Sequence, residues 1–183
     1  MKTTYAGLDL SSGKRHPSHL SVLERDKDGV FWQLESQWWD HKPVTEVVSE
    51  AIGLCESHQV QCLLYDSTRG ELQVLEERGE LPYTWQGVPF TLETKIRLAA
   101  RLAIALTKKE LRLLPDARQQ RQLLLVDQLL NAPETAEGHS DCFWSLALAL
   151  ESTYEPPSAL DLIAMDLDEL DWRDLEDEAL IWF

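Results

Sequence analysis

The chain is poor in the features that mark specialised classes of protein. Its three cysteines, Cys55, Cys62 and Cys142, are odd in number and form no C-x-x-C pair. That argues against a disulfide framework or a thiolate zinc site and leaves buried, reduced thiols. Nowhere do 18 consecutive apolar residues occur, and the opening MKTTYAGLDLSSG has neither a long apolar core nor a small-residue cleavage site. The reading is a soluble intracellular protein without membrane association. No G-x-x-x-x-G-K-[ST] is present, so the chain should not hydrolyse ATP by itself. No internal repeat and no RNA-reading aromatic motif is visible. Basic residues are also few, 17 against 32 acids, for a net charge of -15 and a pI near 4.6. A protein that coats nucleic acid by bulk positive charge is thereby disfavoured, whereas one that acts on nucleic acid is not.

The 183 residues, 44% of them hydrophobic, suit one domain with a buried core and perhaps an appendage. The acidity is concentrated at one end. Residues 151–183 hold eleven acids and one base, Arg173, a balance of -10, which leaves -5 for the first 150 residues. Lys95, Arg97, Arg101, Lys108, Lys109, Arg112, Arg118 and Arg121 form a basic stripe interrupted only by Glu110 and Asp116.

Apolar patterning gives three strand-like runs first: Thr3 to Leu10, His19 to Glu24 and Val30 to Trp38. The last two are joined by Asp26-Lys27-Asp28-Gly29, which suits a hairpin turn. Helical spacing follows from Val44 to about Gln59 behind Pro43. A buried parallel strand is expected over Cys62 to Tyr65, ending at Asp66, then a short helix from Glu71 to Arg78 closed by Gly79 and a strand within Tyr83 to Phe90. Thr91 to Lys109 reads as a long helix with Leu92, Ile96, Leu98, Ala99, Leu102, Ala103 and Leu106 on its apolar side. A brief strand (Leu111 to Leu114), a helix from about Asp116 to Leu130 and a largely buried helix from His139 to Leu150 complete a body of residues 1–153. Trp32 and Trp144 are assigned to the core. After Glu155-Pro156-Pro157, residues 154–183 form an acidic tail. Ser158 and Asp161 resemble a capping box there, and Leu160, Ile163, Leu167 and Leu170 recur on one helical face.

In this order Asp9 ends the first strand, Asp66 ends the fourth and Asp141 opens a late helix. Ligands of α/β sheets gather beyond the carboxyl ends of the strands, so Asp9 and Asp66 on adjacent parallel strands would share a crevice that Asp141 could join. Three convergent carboxylates repel unless neutralised, and hard divalent cations are bound through oxygen. The set therefore implies metal-dependent phosphoryl chemistry. Taken singly, each acid has a plainer reading: a strand-ending turn for Asp9, an Asx turn at Asp66-Ser67-Thr68, and a helix cap at Ser140-Asp141.

An ordered set of segments resembles the C-terminal nuclease domain of the large terminase subunit of tailed bacteriophages. It comprises Gly7-Leu8-Asp9-Leu10, Leu64-Tyr65-Asp66-Ser67-Thr68, Phe90-Thr91 with Lys95, Leu114-Pro115, and Gly138-His139-Ser140-Asp141-Cys142-Phe143-Trp144-Ser145-Leu146-Ala147-Leu148-Ala149. The resemblance implies a ribonuclease H-like α/β fold, a mixed sheet with helices on both faces, and a nuclease that cuts concatemeric double-stranded viral DNA. By the same resemblance Asp9, Asp66 and Asp141 are the catalytic, metal-binding carboxylates for Mg2+ or Mn2+, two ions in all. His139 would orient water or phosphate and Lys95 would neutralise phosphate. Lys14, Arg15, Arg69, Arg97, Arg101, Lys108 and Lys109 are candidate DNA contacts, with solvated turns and helix faces as the alternative. The implied partners are viral DNA, a terminase ATPase domain, the small terminase subunit and the capsid portal, in the cytoplasm of an infected bacterial host.

The sequence departs from the family in two ways. Arg69 precedes Gly70 where relatives have Thr-Gly, and the ATPase motor is missing, so the chain is either an excised nuclease domain or a separate small protein. Competing functions are a sugar-kinase or actin-like phosphate binder, suggested by Gly-Leu-Asp-Leu-Ser-Ser-Gly, a non-catalytic docking module of the packaging machine, and a Holliday-junction resolvase.

Overall fold

The computed structural model describes residues 2–11, 16–68, 70–127, 129–135 and 138–153. Lys14, Arg15, Arg69 and the acidic tail lie outside these residues.

Six strands form one mixed sheet: β1 (Thr3–Asp9), β2 (Ser18–Arg25), β3 (Phe31–Trp39), β4 (Cys62–Asp66), β5 (Trp85–Val88) and β6 (Leu111–Arg112). Their spatial order is β5-β4-β1-β2-β3-β6. The meander β1-β2-β3 is antiparallel, while β4 runs parallel to β1, β5 parallel to β4, and β6 parallel to β3. This is the ribonuclease H-like arrangement expected from the sequence. Helices α1 (Val44–Ser57), α2 (Glu71–Glu77), α3 (Leu92–Thr107), α4 (Ala117–Leu123) and α5 (Asp141–Glu151) connect or follow the strands.

Alternation along the strands divides the core in two. Ala6 and Leu8 of β1, Leu20 and Val22 of β2, and Leu63 and Tyr65 of β4 pack with Val47, Val48, Ala51 and Cys55 of α1. The other face carries Leu23, Phe31 and Leu64 against Leu98 and Leu102 of α3 and Leu146 to Leu150 of α5. Helices thus cover both faces, as a sheet with two apolar sides requires. The apolar side chains of α5 suit it to burial all round, and only Phe143 and Glu151 of its residues are less than fully buried.

Gly7 fixes how closely α5 lies on the sheet. A β-carbon there would overlap the Ser145 carbonyl oxygen and the Ala149 amide nitrogen, and would stand 2.8 Å from the Leu148 β-carbon. Only glycine allows helix backbone to rest on strand backbone in this way.

Three sequence assignments change. Trp32 is 46% exposed rather than core. Its cross-strand partner is Glu24, which is paired to Lys2, so its surroundings are polar, and its indole N–H donates to Asp26 Oδ2 at 2.9 Å. The helix expected from Asp116 to Leu130 stops at Leu123. Asp127 Oδ1 accepts from the Leu129 and Asn131 amides at 2.9 and 2.8 Å, and this local side-chain capture competes with continued helix. Leu92 and Ile96 of α3, expected on its apolar side, are 69% and 54% exposed. The helix turns its Leu98-Leu102-Ala105 row inward, and Leu92 and Ile96 fall roughly 120° and 160° round the helix from Leu98, outside the cluster that the row joins. Cys55 and Cys142 are buried and Cys62 half-buried, all as free thiols.

Gly7→Ala is expected to destabilise the fold by about 3 kcal/mol or more, because overpacking here meets backbone rather than a pliable side chain. Urea unfolding measures this; a loss below about 1 kcal/mol would show that α5 lifts off the sheet easily.

Candidate functional site

The strand register places the first two carboxylates side by side. Leu8 pairs with Tyr65 in the parallel β1/β4 ladder, so Asp9 and Asp66 stand one step further on, on neighbouring strands about 4.8 Å apart. Asp9 shares the sheet face of Gly7, and Asp66 shares that of Leu64, which is the α5 face in both cases. Both side chains are partly exposed at the carboxyl end of their strands.

Asp141 reaches the same end from α5. Gly138, at φ +120, allows the approach: a β-carbon there would overlap Asp141 Oδ2 and stand 2.8 Å from Pro17, immediately before β2. Ser11 N donates to Ser18 Oγ at 3.0 Å across that end of the β1/β2 hairpin, so Pro17 and Asp9 lie at the same edge. Burial first, then the charges of Asp141, Asp116 and Asp9, push the buried Cys142 thiol up, with Arg118 opposing them. The three acids of the sequence reading are therefore gathered at one end of the sheet.

Each acid is held differently. Asp66 Oδ1 accepts from the Thr68 amide at 2.8 Å, so the Asx turn exists beside the strand-end placement. Thr68 Oγ1 accepts from Phe90 N at 2.8 Å, tying the turn to the segment that leads into α3. Asp141 is buried and accepts from the His139 amide at 3.0 Å. Burial pushes its pKa above the ordinary carboxylate value, against that hydrogen bond and the charges of His16 and His139. Ser140, between them, is left-handed at φ 60, and its Oγ is buried without a hydrogen-bond partner. Among the described residues no group of three His, Cys, Asp or Glu side chains is arranged to hold an ion as it stands. An all-carboxylate donor set of which one member is buried nevertheless suits a hard divalent cation.

Two histidines rim the crevice. His139 is exposed, and its ring centre lies 6.0 Å from that of His16. His16 Nε2 is 3.9 Å from Glu134 Oε1. Sequence patterning gave no sign of His16; its only signal was its place in the connection that brings β2 back beside Asp9. Lys95, on the first turn of α3, holds its ammonium 5.5 Å from the Trp144 ring centre and 5.7 Å from that of Phe90.

The four described candidate DNA contacts, Arg97, Arg101, Lys108 and Lys109, do not gather at this edge. Arg97 and Arg101 pair with Glu151 at 3.1 and 3.3 Å, at the far end of α5 from Asp141. Lys108 and Lys109 follow α3, next to Glu110, whose carbonyl accepts from Phe31 N at 2.7 Å. β3 begins there and runs parallel to β1, so these lysines lie toward the opposite end of the sheet from Asp9.

A buried polar layer orients α5. His19, the cross-strand partner of Asp9, places Nδ1 2.6 Å from Ser145 Oγ and Nε2 3.1 Å from Ser36 Oγ. Gln33 and Gln119 exchange two amide hydrogen bonds at 2.8 and 2.9 Å. Gln122 Oε1 accepts from Cys142 N at 3.2 Å, satisfying an amide in the first turn of α5. Burial lowers the His19 pKa to about 3, with Asp116 opposing this and Arg118 adding to it.

Solved structures share this fold. The nuclease domain of the Thermus phage P74-26 large terminase superposes with a TM-score of 0.62 at 22% identity, over 86% of this chain and 82% of that one. The large terminase nuclease of thermophilic phage G20c with bound zinc gives 0.65 at 20% identity, over 84% and 82%. The large terminase of bacteriophage HK97 gives 0.62 at 12% identity, over 84% of this chain and 40% of that one. The G20c nuclease has also been solved with magnesium and with cobalt. No protein-family model and no curated protein matches the sequence.

The His19 shift has a defined sign. Folded near 3 and unfolded near 6.5, this group binds its proton more readily in the unfolded chain, so stability is lost as pH falls from about 6.5 toward 3, by about 1.4 kcal/mol per unit. The His19 ring resonances are expected to stay constant in an NMR titration from pH 8 to 5. A midpoint near 6.5 would refute its burial as the neutral form.

Proposed function

We propose that this chain is a metal-dependent endodeoxyribonuclease of the large-terminase nuclease type, acting on double-stranded viral DNA. The observation that carries the reading is the placement of Asp9, Asp66 and Asp141 at the same end of the sheet, in a fold shared with terminase nuclease domains. Asp9 and Asp66 would hold Mg2+ or Mn2+, and Asp141 would complete the donor set. Two such ions supply an activated water and stabilise the leaving oxygen of the cleaved phosphodiester.

The chain's own groups supply the rest. Asp141 is fixed by the His139 amide and by the close approach at Gly138, so its position is set before any substrate arrives. His139 and His16 stand at the rim, where a ring N–H can donate to a phosphate oxygen. Lys95, over Trp144 and Phe90, adds positive field beside the strand that carries Asp66. Lys14, Arg15 and Arg69 follow Asp9 and Asp66 in sequence and would grip the DNA backbone. In a packaging setting the partners would be an ATPase domain supplied separately or from a longer chain, the small terminase subunit and the portal, in the host cytoplasm. No helix among the described residues is long and apolar enough to cross a membrane.

An actin-like or sugar-kinase-like reading is less well supported, since such folds clasp ATP between two lobes and the described residues build one sheet.

Asp66→Asn is expected to lower plasmid cleavage in Mn2+ or Mg2+ at least a hundredfold while leaving circular dichroism and melting temperature near wild type. Chelator should have the same effect. Undiminished cutting by the variant would overturn the site. Faster cutting of four-way junctions than of linear duplex would make the enzyme a resolvase instead.

A further inference from the structure

Helix α3 has more apolar surface than the body covers. Leu92 and Ile96, four residues apart, are 69% and 54% exposed, and Ala100 and Ile104 continue the row half-buried. A basic edge runs beside them. Arg97 has 58% of its side chain exposed, and Lys108 and Lys109 are exposed just beyond the helix. From residue 92 to 109 there are five bases and one acid.

The chain beyond Thr153 starts on this helix. Arg101 donates to Glu151 Oε2 at 3.3 Å and to Thr153 Oγ1 at 2.9 Å, and Arg97 pairs with Glu151 at 3.1 Å. The 30 residues that follow leave from that point. Between Ser158 and Asp171 they carry five acids, no base, and apolar residues at Leu160, Ile163, Leu167 and Leu170. Four residues separate Thr153 from Ser158 and extend up to about 14 Å. The nine-residue rise from Leu92 to Arg101 is also about 14 Å, so both ends of the exposed row are within reach.

We propose that residues 158–171 bind in cis along the outer side of α3. The Leu160-Ile163-Leu167-Leu170 row covers Leu92 and Ile96, and the acids of the segment face Arg97, Lys108 and Lys109. The occupant is the chain's own tail because charge and apolar spacing match and because the tether holds it at an effective concentration of order millimolar. This goes beyond the nuclease reading and does not depend on it.

Hydrogen exchange on the full chain at low ionic strength tests the proposal. Amides within residues 158–171 are expected to exchange at least tenfold more slowly than an unfolded chain, and to lose that protection in Ile96→Glu, in Leu92→Glu and in Leu167→Glu, the last of which leaves the body unaltered. Unfolded-chain rates in the wild type would overturn it. So would protection that survives both α3 substitutions, or protection that vanishes on dilution, which would place the tail on a second copy.

Discussion

The contact between the backbones of α5 and β1 at Gly7 is the constraint on which the site depends. A helix normally stands off a sheet by the length of the side chains between them, about 10 Å between layers. Here the missing β-carbon lets the Ser145 to Ala149 turn of α5 rest on the strand itself. Ser145 therefore comes within hydrogen-bond distance of His19 and Ser21 on β2. Asp141, one turn earlier, is carried to the strand ends where Asp9 and Asp66 project. A second glycine, Gly138, repeats the device at the other side of Asp141. Two absent side chains thus set the position of one carboxylate.

The polar layer under α5 has a cost that an apolar layer would not. Buried hydroxyls, amides and an imidazole stabilise only when their hydrogen bonds are complete, and here nearly all are. His19, Ser36, Gln33 and Gln119 link β2, β3 and α4, and Gln122 extends the link to the first turn of α5. Such a layer discriminates between registers that Leu against Leu would tolerate, because one residue of slippage orphans several buried groups. Its register fixes the rotation of α5, and the rotation fixes where Asp141 points. Ser140 Oγ, the one buried side-chain orphan among the described residues, belongs to the residue immediately before Asp141.

Some of this was legible in the sequence for physical reasons. Asp9 and Asp66 each end an apolar run, and strand polarity alone then places them at one edge. Asp141 opens a helix so apolar that it must be buried. What stayed hidden depends on contacts remote in sequence. His16 gains its place only once the β1/β2 hairpin closes, and Gln122 is an ordinary helix residue until α5 packs beside it. Periodicity assigned Leu92 and Ile96 to the apolar side of α3 because it measures spacing and not the angle at which a helix is set down. Trp32 was misassigned for a related reason, since strand alternation identifies a face without saying how far the covering helix extends.

The distribution of charge also bears on mechanism. Under the proposed function a polyanion must approach three carboxylates, yet apart from Lys95 the candidate bases on and just after α3 lie elsewhere: Arg97 and Arg101 are engaged with Glu151, and Lys108 and Lys109 stand toward the opposite end of the sheet. Over that distance, beyond the Debye length of about 8 Å at physiological salt, their field at the site is largely screened. Under the proposed function, attraction for phosphate would then come from bound divalent ions, from Lys95 and the two rim histidines, and from Lys14, Arg15 and Arg69, which follow β1 and β4 in the sequence. On that reading metal binding and DNA binding would be one linked event, because the ions that reversed the sign of the crevice would also be those that the chemistry used.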